Sequence, residues 1–348
     1  MWLISVRDLR YRMRRFLIAV AVTALVFSIA LVFDGVKRAM QNEAPRLVAS
    51  FHADGWIVAR GTGGPFTTSQ VLPPELWRRI VDTAGGRADP VVLSRGVVTS
   101  GTDVTDVNVI GIPRRGLGTP EVEEGRPVER RGEVVIGPTI DAAVDDQVRV
   151  GGLQLRVVGT APRARYFFGT PVVYVSIADA RANAFGGRPL ATTVVIDGRL
   201  PPLPDTVEVL TSDEVAADLR RPIKNGIETI DFTSLLLWLI AAGIIGAIVY
   251  LSALERMRDF AVFKATGVPN RIIVGGLVLQ AVFLALVAAL LSVGIARLLG
   301  LGFPFPIEHG VHGVIQLLLI AVVVGLVASI AGLRRAVATD PALAFGGG

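Results

Sequence analysis

Four long apolar runs limit what this chain can fold into. Phe16 to Phe33 carries no charge, and at 1.5 Å per residue it reaches ~27 Å, enough to cross a bilayer's hydrocarbon core. Further runs fill Leu235–Leu254, Ile272–Leu299 and Val314–Leu333. In lipid every backbone N–H and C=O must be satisfied within the protein, so runs of this length read as spanning helices. An apolar fraction of 51% agrees, being high for a chain that meets only water. The first run has a competing reading as a secretory signal, with Ser28 and Ala30 as a small-residue cleavage pair. It is longer than a usual signal core, and helix-compatible residues continue to about Gln41, so an uncleaved anchor is expected.

The basic residues set an orientation. Arg7, Arg10, Arg12, Arg14 and Arg15 precede the first run, Arg256, Arg258, Lys264 and Arg271 separate the second and third, and Arg334 and Arg335 follow the fourth. Residues 300–313 contain neither Lys nor Arg. The positive-inside rule then places both termini in the cytoplasm and residues 35–230 outside. The net charge of +5 is a topology signal here. It gives no reason to expect nucleic-acid binding, which calls for basic residues patched with aromatics on a soluble fold.

Residues 35–230 differ in kind, being rich in Gly, Pro, Thr and charge. Short β-prone pieces recur at Trp56–Ala59, Val91–Thr99, Val107–Ile112, Glu133–Ile136, Gln147–Val150, Leu153–Gly159, Val172–Val175, Thr193–Ile196 and Val207–Leu210. Gly151-Gly152 reads as a hairpin turn. Helical pieces are expected at Pro73–Ala84, Ser176–Phe185 and Ser212–Arg220, with Ser176 and Ser212 as N-caps. The expected architecture is a membrane protein of four transmembrane α-helices, with a large α+β extracytoplasmic domain between the first and second. The boundaries are a basic N-terminus (1–15), helix 1 (16–34), the outer domain (35–230), helix 2 (231–254), an inner segment (255–271), helix 3 (272–299), an outer loop (300–313), helix 4 (314–333) and an inner tail (334–348).

No catalytic constellation stands out. The chain has no Gly-x-x-x-x-Gly-Lys-Ser/Thr phosphate loop, no Gly-x-Ser-x-Gly elbow and no cysteine, and only three histidines. Neither catalytic, metal nor cofactor-binding residues are expected, and any ATP would be bound by a partner. Glu308, His309 and His312 could ligate Zn²⁺ by residue type, but their spacing matches no zinc motif and a polar loop is the simpler reading. Arg163, Arg165, Tyr166 and Phe167 form a basic-aromatic patch that suits contact with an outer partner; the ordinary alternative is an edge loop with its aromatics tucked in. Gly243, Gly246, Ala247, Gly275, Gly276 and Ala281 allow close helix approach, either within one chain or between two. Arg297 is expected to snorkel at the outer end of its helix.

The most informative loop is Glu255–Gln280, where Phe260, Val262 and Phe263 sit among Arg256, Arg258, Asp259 and Lys264. A solvated loop needs no such aromatics. The pattern suits a short surface helix that docks into another protein, or one that only anchors the bundle. The stretch resembles the cytoplasmic segment of MacB/FtsX/LolC-type ABC transporter permeases, E-R-x-R-E followed by apolar residues, K/R, A and G. Glu255, Arg256, Arg258, Lys264, Ala265 and Gly267 match, while Asp259, Phe263 and Thr266 depart from it. The tail from Gly332 through Asp340-Pro341 to Leu343 resembles the family's closing A-x-R-A-x-x-x-D-P-x-x-A-L.

The resemblance implies the membrane subunit of an ABC system in a bacterial cytoplasmic membrane, dimeric with itself or a sibling, carrying cytoplasmic ATPases and touching membrane lipid. It assigns Glu255, Arg256, Arg258, Asp259, Phe260, Phe263, Lys264 and Gly267 to the ATPase contact. It also implies movement of the outer domain to export or extract hydrophobic cargo, or to pull on an extracytoplasmic protein. Two alternatives stand beside it. A small-solute importer permease would carry an E-A-A-x-x-x-G loop, which is absent, and a membrane-anchored sensor would need a cytoplasmic signalling module.

Overall fold

The computed structural model describes residues 13–67, 70–137, 139–161, 165–166, 170–300, 302 and 311–337. The chain divides into two compact units, residues 39–225 and residues 1–38 with 226–348.

The unit of residues 39–225 is built on a mixed sheet. Its strands are β1 (Gly55–Ala59), β2 (Arg87–Ser100), β3 (Asp103–Ile112), β4 (Glu124–Gly125), β5 (Glu133–Ile136), β6 (Gln147–Val150), β7 (Leu153–Thr160), β8 (Arg165–Tyr166), β9 (Thr170–Ser176), β10 (Thr193–Asp197) and β11 (Val207–Leu210). Their order is β11-β1-β10-β2-β3-β9-β5-β7-β4, with β6 pairing β2 and β7, and β8 pairing β9. The pairs β3–β9 and β5–β7 are parallel. Each β-prone piece in the sequence forms a strand. The two-residue strands β4 and β8 are additions, too short to leave a periodic signal.

Period-two alternation makes two cores from one sheet. Val135, Val172, Tyr174 and Val195 join Trp56, Phe51 and Leu219 on one side, and Val134, Val173, Val175 and Val109 join Ala180 on the other. A third cluster, Ile57, Ile80, Val194 and Ile196, lies under the helix Pro74–Thr83. The β6–β7 hairpin turns at Gly151-Gly152, with Val150 opposite Leu153. Gly151 has φ +57°, the left-handed conformation that glycine adopts at least cost, and a Cβ there would come within 2.1 Å of Asn183 Oδ1, so a larger residue would have to displace that side chain.

Polar side chains fix the loops. Ser176 caps the helix Ile177–Phe185, accepting from the Asp179 amide. The helix Ser212–Arg220 is capped one residue earlier than the sequence suggested. Thr211 accepts from the Glu214 amide and Glu214 reaches back to Thr211, completing a capping box, while Ser212 Oγ donates to Ala53 O at 3.2 Å. The fully buried Asp218 carboxylate accepts from the Phe66 amide at 3.1 Å and from Thr67 Oγ1. Glu133 accepts from both Arg126 Nη atoms at 2.9 and 2.6 Å, and from the amides of Glu129 and Arg130. The Arg126 hydrogen bonds outweigh burial and hold its pKa at about 2.

The other unit is helical. We label the long helices α1 (Met13–Ala49), α2 (Lys224–Glu255), α4 (Asn270–Gly300) and α5 (Val311–Val337), and the short helix between α2 and α4 is α3 (Met257–Ala265). All four long helices contain a stretch long and apolar enough to cross a membrane. α1 runs on past residue 34, the expected end of the span. Its last turns carry Ala44, Leu47 and Val48, which belong to the core of the 39–225 unit, so burial sustains the helix beyond the apolar run. Phe27 of α1 meets Trp238 of α2 at 5.5 Å between ring centroids. At the end of these spans Lys37 pairs with Asp231, and Arg38 joins Asp34 at 2.7 Å and Gln316 at 2.8 Å, lacing α1 to α2 and α5. α4 and α5 approach closely at Gly325, where a Cβ would lie 2.7 Å from Val282 Cα.

Candidate coupling segment

The helix α3 exists because the chain is broken on both sides of it. Arg256 leaves helical geometry (φ −101°, ψ 9°) and ends α2. At the other end Gly267 has φ +86°, its amide donates to Lys264 O at 3.0 Å, and the Val268 amide donates to Phe263 O at 2.9 Å. This pair of bonds is a Schellman stop, and it needs a residue free to adopt positive φ. Thr266 Oγ1 adds a bond to Phe263 O at 2.9 Å, and Pro269 follows, so α4 starts afresh at Asn270.

One face of α3 is committed to the chain itself. Phe260 is 5% exposed and Ala261 fully buried, whereas Val262 is 47% exposed and Phe263 half-buried. This corrects the expectation for Phe260: a ring already buried against its own chain cannot also fill a partner's groove. The helical period explains it, because Met257, Phe260, Ala261 and Lys264 share one face and Asp259, Val262 and Thr266 lie away from it. Val262 was legible as apolar in a charged loop, and only this spacing distinguishes its role from that of Phe260.

Charge surrounds the exposed face. Glu255 and Asp259 are exposed, while Arg256 and Lys264 are half-buried. Burial pulls the Arg256 pKa down and Asp259 pulls it back up; a guanidinium remains charged throughout. Glu255, Arg256 and Lys264 each have a partner within the chain. The Arg258 side chain lies outside the described residues, as do Arg163, Phe167, Glu308 and His309 and the side chains of Tyr166 and His312. Of the basic-aromatic patch, Arg165 and Tyr166 form β8 against β9, with Arg165 opposite Pro171 and Tyr166 opposite Thr170. Arg165 and Tyr166 belong to the unit of residues 39–225, and α3 belongs to the other unit.

The small residues divide between two roles. Gly246 and Ala281 are buried within the chain, whereas Gly243, Ala247, Gly275 and Gly276 face outward. Among the described residues no group of His, Cys, Asp and Glu is placed to hold a metal ion.

Comparison with known proteins places the whole chain. Residues 16–220 match the MacB-like periplasmic core domain, and residues 232–341 match the FtsX-like permease C-terminal family. The chain belongs to the MacB/FtsX-type ABC transporter permeases. The permease is 39% identical over 347 residues to the uncharacterized ABC transporter permease Rv2563 of Mycobacterium tuberculosis, covering 99% of each chain. It is also 39% identical over 346 residues to the uncharacterized ABC transporter permease Rv0072 of the same organism, again covering 99% of each. Among solved structures, the periplasmic region of MacB from Actinobacillus actinomycetemcomitans is 12% identical with a TM-score of 0.35, covering 49% of the permease and 94% of that chain. Membership makes the permease a membrane subunit that works with an ATPase subunit.

Proposed function

We propose that the permease transmits ATP-driven motion from its ATPase partner to its outer domain, and that α3 is the contact through which the motion enters. The exposed Val262, beside half-buried Phe263 and within a frame of charges, carries this reading. An apolar side chain left in water on an otherwise committed short helix is suited to a partner's groove. The Schellman stop and the break at Arg256 make α3 a separate rigid piece between two spans. A push on such a piece reaches both α2 and α4. The work served is export or extraction of a hydrophobic cargo, or traction on an extracytoplasmic protein.

The one-sided distribution of Lys and Arg supports cytoplasmic termini, and so a cytoplasmic α3. The outward-facing Gly243, Ala247, Gly275 and Gly276 favour a second permease chain against these helices, identical or sibling.

The test is co-purification with the ATPase and permease-stimulated ATP hydrolysis. Val262→Asp combined with Phe263→Ala should weaken association at least about tenfold, the effect of losing well over 1 kcal/mol at an interface centre. Lys264→Ala, on the face committed to the chain itself, should move it less than about fivefold. Phe260→Ala should instead lower thermal stability, because its ring is interior. Undiminished association in the Val262/Phe263 double variant would reduce α3 to an interfacial anchor.

A further inference from the structure

A cavity of about 180 Å³ lies among α1, α2 and α5, wholly within the helical unit. It sits at the outer end of their apolar stretches, where the chain leaves for the MacB-like domain along α1 and returns along α2. Its rim carries Asp34 and Lys37 of α1, Asp231 of α2 and Gln316 of α5, and its floor is Leu31, Leu317 and Ile320. Ser234 and Trp238 stand between these two levels on α2.

The charges of the rim cancel. Lys37 Nζ donates to Asp231 Oδ1 and Arg38 Nε donates to Asp34 Oδ2, so two acids meet two bases. Such a rim favours neither a free anion nor a free cation, and it offers both signs side by side to a head that carries both. Several polar atoms are left unmet. Gln316 Oε1 is taken by Arg38 Nη2 at 2.8 Å, while the Gln316 amide nitrogen, the Ser234 hydroxyl and the Trp238 indole N–H make no hydrogen bond among the described residues. Asp231 is half exposed, and its Oδ2 is likewise unmet among those residues. None of these atoms is sealed inside the protein. At the edge of a bilayer such donors want acceptors that lipid tails cannot supply.

Asp231 and Trp238 are two helical turns apart, about 10 Å along the axis. The polar layer of one leaflet is about 5–8 Å deep, so the pair spans it. A dry cavity of roughly 150 Å³ holds one benzene ring. This one therefore takes only the polar part of a lipid. Beyond it Leu235 and Leu239, one turn apart and each more than half exposed, extend an apolar track along α2.

We propose that this cavity holds the head and ester region of one zwitterionic phospholipid of the outer leaflet, of the ethanolamine type. Its ammonium meets Asp231, its phosphate meets Lys37 and Gln316, its ester carbonyls meet Ser234 and Trp238, and its chains follow Leu235 and Leu239. A primary ammonium donates a charge-assisted hydrogen bond to Asp231, whereas a choline has no N–H and a glycerol head has no cation.

The full chain, delipidated in detergent and free of ATPase, is titrated with dioleoyl phosphatidylethanolamine, phosphatidylcholine or phosphatidylglycerol, and bound lipid is read by native mass spectrometry. The ethanolamine lipid should saturate one site per chain, at a half-binding concentration about fivefold or more below the other two. Asp231→Asn should raise that concentration about tenfold and leave the glycerol lipid unweakened. Trp238→Phe keeps a ring beside Phe27 and removes the N–H, so it should weaken all three lipids about threefold. Leu290→Ala, on the exposed surface of α4, should change nothing. Equal, unsaturating retention of the three lipids would mean annular lipid only and overturn the site. Undiminished ethanolamine-lipid binding in Asp231→Asn would overturn it too. Loss of all three lipids alike in that variant would mark a purely structural role for the Lys37–Asp231 pair, again overturning it. Undiminished binding in Trp238→Phe would overturn the ester contact. None of these outcomes touches the ATPase contact, which fails or stands on co-purification.

Discussion

Among the described residues of the 39–225 unit, Val97, Val104 and Leu200 are the large apolar side chains left exposed. In the helical unit Leu17, Leu279, Leu290, Leu298 and Leu319 are each more than half uncovered. The first pattern suits water, where apolar surface is driven inward at roughly 25 cal/mol per Å². The second suits lipid, where a leucine on the outside loses nothing, and association depends on close packing and on polar contacts between helices. The two units accordingly spend polar side chains differently. One uses Asp218, Glu133, Ser176 and Thr211 to pin loops and helix starts. The other places Asp34, Lys37, Arg38, Asp231 and Gln316 where α1, α2 and α5 meet at the end of their apolar stretches.

The largest expected effect tests burial itself. Trp56 is fully buried, with Phe51 at 4.7 Å and Phe66 at 5.9 Å between ring centroids. Trp56→Ala should destabilise the 39–225 unit by about 3–5 kcal/mol, read from its unfolding transition in the detergent-solubilised chain. Leu279→Ala, at a residue 61% exposed, should leave thermal stability within about 0.5 kcal/mol. Similar effects from both would break the contrast between the units.

A smaller effect probes the lipid-side rule that backbones approach where residues are small. Gly325→Val pushes a side chain into the backbone at Val282 and should cost about 1–3 kcal/mol, seen as earlier heat-induced aggregation. Gly275→Val meets nothing within 4 Å in the single chain and should leave the monomer unaffected.

The smallest effect belongs to charge. Glu133 has a folded pKa near 2, below its ordinary 4.5, so its contribution is fully present above 4.5 and disappears as pH falls toward 2. With Arg126 half exposed, the pair contributes about 1–2 kcal/mol. Glu133→Gln should therefore lower the neutral-pH stability of the 39–225 unit by that amount and flatten its decline between pH 4.5 and pH 2. An unchanged acid limb in the variant would assign that decline to other carboxylates.

Much of this architecture was legible in one dimension. Run length and the absence of charge marked four spanning helices, and period-two patterns marked the longer strands, because both follow from local geometry and solvent. Gly151-Gly152 was legible as a turn, since positive φ excludes most side chains. Other decisions needed the folded chain. The extension of α1 to Ala49 depends on a core assembled from strands distant in sequence, and the cap at Thr211 depends on the reach of Glu214. Phe260 and Val262 are both apolar in one charged loop, yet one is interior and the other faces out. The sequence determined which segments prefer lipid, helix or strand, because those preferences are summed over neighbouring residues. The tertiary structure decided which side chains remain without a partner, because that depends on contacts between residues far apart along the chain.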